Sequence, residues 1–335
     1  MAAVPEMEKP PSHRGKALRR LGCLGSGLGA ALVLALGYAS QPFVKPIPRT
    51  LAAGDPARLE ADVRTLAGMR RGWTQAEGLE AAFAYVERAL AQTPARLESQ
   101  PFQVGGQTFR NLRAAYGPAG PPQIVVGAHL DTFANLPGAD DNASGVAVLL
   151  ELARGFRERP PAIPVELVVW TLEEPPHFRR ASMGSRRHAR SLGEQKTPLR
   201  LAVSLECVGC FKDGADFQNY PLPLLSWVYP MEGNYIVLVG RSGQAGLLRR
   251  GKAAFKGATR LPVCSINAPL WVQGIDFSDH ASYWDEGYPA LMVSDTAFNR
   301  NANYHRATDT PETLDYARMA LVVQGTRGIL EEFAR

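Results

Sequence analysis

Short apolar runs recur along the chain, and several end in charged or glycine-rich stretches. Ile124-Val-Val126 runs into Gly127-Ala-His129-Leu-Asp131, Leu167-Val-Val-Trp170 leads to Glu173-Glu174, and Leu201-Ala-Val-Ser-Leu205 leads to Glu206. Runs this short and this uniformly apolar predict strands covered on both faces. They place strands over 124–128, 165–172 and 201–205, and further strands are expected over 98–104, 111–116, 235–239 and 289–293. Elsewhere the spacing becomes helical. Leu59, Val63 and Leu66 share a face, as do Leu79, Phe83, Val86 and Leu90. Asp55-Pro56 reads as an N-cap and first helical position. One helix is expected to begin near Ser144 and another to close the chain over 316–333. The alternation predicts an α/β fold, a three-layer αβα sandwich with a central mixed, mostly parallel sheet.

Composition narrows this picture. The 335 residues, 45% of them hydrophobic, leave room for one large core. No internal repeat or Pro/Ser-rich linker interrupts 55–335, which reads as one catalytic-sized domain. Residues 40–54, with Pro42, Pro46 and Pro48, read as an extended linker. The net charge of +5 owes much to Lys9, Arg14, Lys16, Arg19 and Arg20 in the basic segment 1–20. No basic stripe interleaves with aromatics, so nucleic acid is not an expected partner. Residues 21–39 carry no charge and follow that basic flank. They predict a signal peptide or a membrane anchor, with the domain exported to a periplasmic or extracellular face. Five glycines in this run would weaken a buried core helix. Of the four cysteines, Cys207 and Cys210 form a C-x-x-C with no second pair to complete a structural zinc site. Two small buried side chains are expected there, with a disulfide as the alternative.

The chemistry lies at the strand ends, where open α/β sheets build their sites. His129 is the first candidate metal ligand. Asp131, two positions on, points to the same side and can orient the imidazole. Asp141, in Gly138-Ala-Asp-Asp141-Asn-Ala-Ser-Gly145, can offer one oxygen to each of two metals. Glu173 and Glu174 are adjacent, so one can bind metal while the other faces substrate, and spacing alone does not say which. His305 stands in a polar loop before Asp309. Imidazole plus carboxylate suits zinc. His13, His177 and His188 are expected on the surface. Asn142-Ala-Ser144 matches a glycosylation acceptor but reads better as part of a metal loop.

As a set, these motifs resemble the double-zinc exopeptidase family of bacterial leucyl aminopeptidase type, which also contains the glutaminyl cyclases. The resemblance runs from about residue 56 to 335. It implies a zinc exopeptidase-like sandwich holding two Zn2+ per chain. Asp141 would bridge them, His129 and Glu206 would complete one site, and Glu174 and His305 the other. Glu173 would be the general base acting on a metal-bridging water, and Asp131 the orienting carboxylate. The implied activity is hydrolysis of the first peptide bond of a peptide with a free N-terminus. Family members often carry a pair like Asp279-His280 near the pocket, acting behind the ligands or on the substrate side. Two details depart from the pattern: Pro175-Pro-His-Phe-Arg-Arg180 replaces a short Gly-rich turn, and Glu206 stands where Asp is also common. The alternatives are a glutaminyl cyclase-like acyltransferase and a non-catalytic receptor-like module. Tyr304 before His305 favours the peptidase, since the cyclases usually carry Trp there. The five ligand-type residues argue against the receptor-like module. Residues shaping specificity are expected between Phe211 and Trp284.

Overall fold

The apolar runs become strands because helices cover both of their faces. In the computed structural model, which describes residues 29–335, there are eight strands: β1 (Arg96–Val104), β2 (Gln107–Tyr116), β3 (Ile124–His129), β4 (Val165–Trp170), β5 (Leu201–Glu206), β6 (Ile236–Arg241), β7 (Val263–Ala268) and β8 (Ala290–Ser294). They form one sheet in the order β1-β2-β4-β3-β5-β8-β6-β7. β4, β3, β5 and β8 run parallel, β1 and β2 add an antiparallel edge, and β6 pairs antiparallel with β8 and parallel with β7. Every residue of β3, β4 and β5 is buried, as their uniform hydrophobicity requires.

The helices are α1 (29–40), α2 (Pro56–Ala67), α3 (Ala76–Ala91), α4 (Gly145–Gly155), α5 (Gly184–Glu194), α6 (Ala245–Ala258), α7 (His280–Asp285) and α8 (Tyr316–Phe333). Alternate strand residues enter opposite layers. Val126, Leu167 and Leu291 pack with Leu59, Leu149 and Val323 of the helices on one face. Val125, Val168 and Trp170 pack with Ala189, Leu192 and Tyr283 on the other. The expected three-layer sandwich is therefore present, and Asp55 caps α2 through the amides of Ala57 and Arg58. At Gly127 an added Cβ would lie 2.3 Å from the Trp170 ring, so only glycine lets that indole close over β3.

Four elements carry too weak a pattern to be expected. β7 is an edge strand with Cys264, Ser265 and Asn267 among its six residues. α5 reads Gly-Ser-Arg-Arg-His-Ala-Arg-Ser-Leu-Gly-Glu and buries only a narrow face. α6 and the six-residue α7 were likewise hidden among polar and glycine positions.

The segment 41–54, expected as a tether, is docked instead. Val44 and Leu51 are buried, Ile47 and Arg49 donate their amides to Ala253 and Gly257 of α6, and Gly54 donates to Ala320 of α8. Prolines keep it extended and remove amides that would otherwise need partners. Residues 1–28, including the basic segment, His13, Cys23 and the first part of the uncharged run, lie outside the described residues. In α1, Leu32, Val33, Leu34 and Tyr38 are exposed. No described helix is long and apolar enough to cross a membrane.

The docking has a simple test. An added Cβ at Gly257 would meet the Ile47 carbonyl oxygen at 1.8 Å. Gly257→Ala should therefore peel the segment from α6, at a cost of roughly 1–3 kcal/mol for overpacking. Denaturant melts and limited proteolysis near residue 47 report it. Unchanged stability together with unchanged protease resistance would show that the segment does not depend on this contact.

Candidate metal centre

Three neighbouring strands deliver the central groups. His129 is the last residue of β3, Glu206 the last of β5, and Glu173 and Glu174 follow β4. Asp141 sits in the wide helical turn Ala139–Ser144 that leads into α4, and His305 in the loop between β8 and α8. The geometry around Asp141 divides the cluster in two. Its Oδ1 lies 3.3 Å from His129 Nε2, which in turn lies 3.3 Å from Glu206 Oε2. Its Oδ2 lies 3.0 Å from His305 Nε2, which in turn lies 3.3 Å from Glu174 Oε2. Two trios result, His129–Asp141–Glu206 and Asp141–Glu174–His305, each with ligand atoms within 4.8 Å of one another. Asp141 belongs to both. Glu173 belongs to neither, a distinction that spacing could not make.

The donor set fits a metal. His129 Nε2, His305 Nε2, Asp141 Oδ2 and Glu174 Oε1 are buried without a hydrogen-bond partner. Orphaned buried polar atoms are costly, and a bound cation would satisfy these four. Neutral imidazole and carboxylate are donors that zinc accepts.

The groups behind these residues differ in part from expectation. Asp131 does not hold His129 mainly through its carboxylate. The ring Nδ1 lies 3.1 Å from the Asp131 main-chain carbonyl and 3.8 Å from Oδ1. The carboxylate instead accepts the amides of Glu173 and Glu174, at 3.2 and 3.1 Å, and so fixes the turn that carries both. Asp309 accepts the amides of Asp140 and Asp141. Asn142 donates to the Leu205 carbonyl and accepts from the amides of Gly145 and Cys207, tying the Asp141 turn to the end of β5. Fully buried as it is, this asparagine suits a metal loop and offers no surface to a glycan. Asp140 accepts from Gly209 N and Asn301 Nδ2. Ser278 donates to Glu206 Oε2 at 2.8 Å. Arg71, wholly buried, bonds the carbonyls of Leu66, Leu130 and Gly138. His305 is clamped between Phe133 and Tyr304, with ring centroids at 4.2 and 4.0 Å. Of these supports, Asp140, Asp309, Ser278 and Arg71 did not stand out in the sequence, because a lone Asp, Ser or Arg carries no pattern.

Other residues also fall differently. His177 and His188, expected at the surface, are buried. His188 bridges Glu166 Oε2 at 3.0 Å and the Tyr283 hydroxyl at 2.7 Å, because a glutamate inside β4 needs partners. His177 packs edge-on against Trp73. Asp279 is fully buried with both oxygens unpartnered. His280 turns away to the Ile275 carbonyl and the Trp284 ring. Cys207 and Cys210 are free and buried, as two small core side chains.

The electrostatics follow from crowding. Burial pushes Glu173 well above the ordinary carboxylate range; His129 opposes this, and Glu206 and Glu174 reinforce it. Burial, with the Asp141 charge, raises Glu174 to about 8. Burial disfavours charge on His305, but Asp141 and Glu174 outweigh it and raise the ring to about 10. Burial likewise opposes ionisation of Asp141, but His129 and His305 outweigh it and hold that carboxyl below its ordinary range.

A predominantly apolar cleft opens beside Glu206 and Tyr304. Tyr229, Tyr235, Ile275 and Phe277 on its walls lie in the span expected to shape specificity, whereas Met292 and Phe298 come from beyond it.

Residues 111–327 match the model of Peptidase family M28. YfbL of Escherichia coli (strain K12) is 41% identical over 300 residues, covering 87% of this chain and 92% of that one. Leucine aminopeptidase 1 of Uncinocarpus reesii is 27% identical over 226 residues, covering 63% of this chain and 51% of that one, so this chain spans about half the length of that relative. LapB from Legionella pneumophila superposes with a TM-score of 0.64 at 22% identity, covering 83% of this chain and 72% of that one. A glutaminyl cyclase from Bacteroides thetaiotaomicron superposes with a TM-score of 0.63 at 17% identity, covering 84% and 99%. These structural likenesses are likenesses of fold. The family match across 111–327, together with 41% identity over most of both chains, establishes that this chain belongs to Peptidase family M28.

Proposed function

We propose that this chain is a zinc aminopeptidase that removes the N-terminal residue of peptides. The observation that carries the reading is Asp141, which turns one oxygen to His129 and Glu206 and the other to His305 and Glu174. On this reading His129, Asp141 and Glu206 hold one zinc, and Asp141, Glu174 and His305 hold a second. Zinc bound there supplies positive charge that acidifies water and stabilises a developing oxyanion. Glu173 takes the proton of the attacking water and returns it to the leaving amine. Asp131 keeps Glu173 in place through its bond to the Glu173 amide. The cleft beside Glu206 receives the side chain of the residue being released, and its apolar walls exclude water from it. The uncharged run 21–39 behind a basic flank supports export of the domain. A reporter fused after residue 45 should then appear outside the cytoplasm, and retention inside the cell would refute export.

Zinc analysis of the reconstituted protein should give two ions per chain. Glu173→Gln should keep both and lose at least the roughly 10²–10⁴-fold contribution of general-base catalysis. Glu174→Gln should weaken binding at one site, because an amide is a poorer zinc ligand than a carboxylate. If Glu173→Gln sheds zinc while Glu174→Gln retains two ions, the assignments are reversed. Pyroglutamate in place of a free amino acid, from a substrate beginning with Gln, would instead make the chain a cyclase.

The proton balance gives an independent test. Without metal, Glu174 titrates at about 8 against an ordinary 4.5, and His305 at about 10 against 6.5. Both groups hold protons more tightly in the folded state. That contribution to stability is present at low pH and is lost as pH rises through these values. Zinc takes the place of those protons. The zinc-induced rise in Tm should therefore be larger at about pH 8 than at about pH 5.5. Paired thermal melts with and without zinc measure it, and an equal or smaller increment at the higher pH contradicts the ligand assignment.

A further inference from the structure

We propose that the cleft beside the metal centre accepts, on the substrate's N-terminal residue, an apolar side chain longer than any of the coded ones. The inference rests on the aminopeptidase reading above and specifies its substrate. Strand register sets the length of the cleft. Glu206 on β5 pairs with Ser294 on β8, and Ser294 pairs with Val237 on β6. One row over, Met292 on β8 pairs with Val239 on β6, and Val239 with Ile266 on β7. Residues two apart on a strand share a face, so all six point the same way. All six line the cleft.

Its floor therefore crosses four neighbouring strands, from the metal ligand on β5 to the edge strand β7. Three interstrand steps span about 14 Å. Side chains from two sheets stacked about 10 Å apart meet midway, so an ordinary apolar side chain reaches about 5 Å. A leucine or phenylalanine entering beside Glu206 would leave more than half the floor uncovered.

The chemistry of the far portion is one-sided. Past Ser294 the floor is Met292, Val237, Val239 and Ile266, flanked by Leu225 and Tyr229. A polar extension on the substrate would lose its water there without replacement, whereas each methylene gains by burial. The apolar character continues outside. Trp227, between the lining residues Leu225 and Tyr229 in sequence, is 74% exposed, and Leu270 and Trp271, just ahead of the lining residue Gln273, are 51% and 76% exposed.

The zinc-loaded enzyme is assayed on p-nitroanilides of alanine, leucine, 2-aminohexanoic, 2-aminooctanoic and 2-aminodecanoic acids. The expected result is a rise in kcat/KM of about fourfold per added methylene that continues beyond 2-aminohexanoic to 2-aminooctanoic acid. Ile266→Trp should fill the distal floor and lower the ratio of 2-aminooctanoyl to leucyl activity at least tenfold. Leu225→Trp, from the wall, provides a second block. A wild-type maximum at leucine or 2-aminohexanoic acid overturns the proposal and leaves the aminopeptidase reading standing. So does a ratio that neither folded variant changes. A zinc-loaded protein inert on the whole series overturns both.

Discussion

The structure depends on keeping several carboxylates close together without water. Asp141, Glu173, Glu174 and Glu206 lie nearly buried around two imidazoles. Like charges at such range repel strongly, and the low-dielectric surroundings do little to screen them. The fold answers with directed backbone dipoles. Asp131 is gripped by two successive amides of the glutamate pair, and Asp309 by two successive amides of the aspartate turn. Each outer carboxylate thereby fixes the peptide that carries an inner one. Glu206 also accepts from Ser278, whereas Asp141 Oδ2 and Glu174 Oε1 keep their lone pairs free of hydrogen bonds.

That division explains what the sequence could and could not disclose. The inner groups stand at the ends of β3, β4 and β5, and hydrophobic runs announce such ends. His129, Glu173, Glu174 and Glu206 were therefore legible in position, and so were the strands that lead to them. Asp141 was legible through its glycine-rich surroundings. Roles within the glutamate pair were not, because the side-chain directions depend on how Asp131 grips their amides. The roles of Asp309 and Arg71 were invisible for a related reason. They act by bonding main-chain groups far away in sequence, and no local period records that. His188 was misplaced because its burial depends on Glu166, a charged residue inside an otherwise apolar strand.

The same logic applies to the fold. The uniformly apolar central strands could be read directly, as could α2, α3 and α8. β7 could not, since an edge strand is paired on one side only and tolerates polar residues along its length. The prolines at 42, 46 and 48 correctly marked an extended backbone, but extension does not distinguish a free chain from one laid along a helix. Only the amide bonds to α6 and α8 make that distinction.

The two trios differ in their access to solvent. The side chains of His129, Asp141 and Glu206 are 0%, 4% and 7% exposed, whereas His305 is 24% exposed and stands on a loop, held by stacking between two rings. A part-exposed ligand gives solvent and chelators a direct approach, whereas one at the end of a buried strand does not. If each trio holds an ion as proposed, the two should differ in lability, the His305 side exchanging first and the His129 side persisting. A chelator would pass through a singly loaded species, and refilling that species with a second element would make a mixed-metal protein in which each position carries its own spectroscopic label.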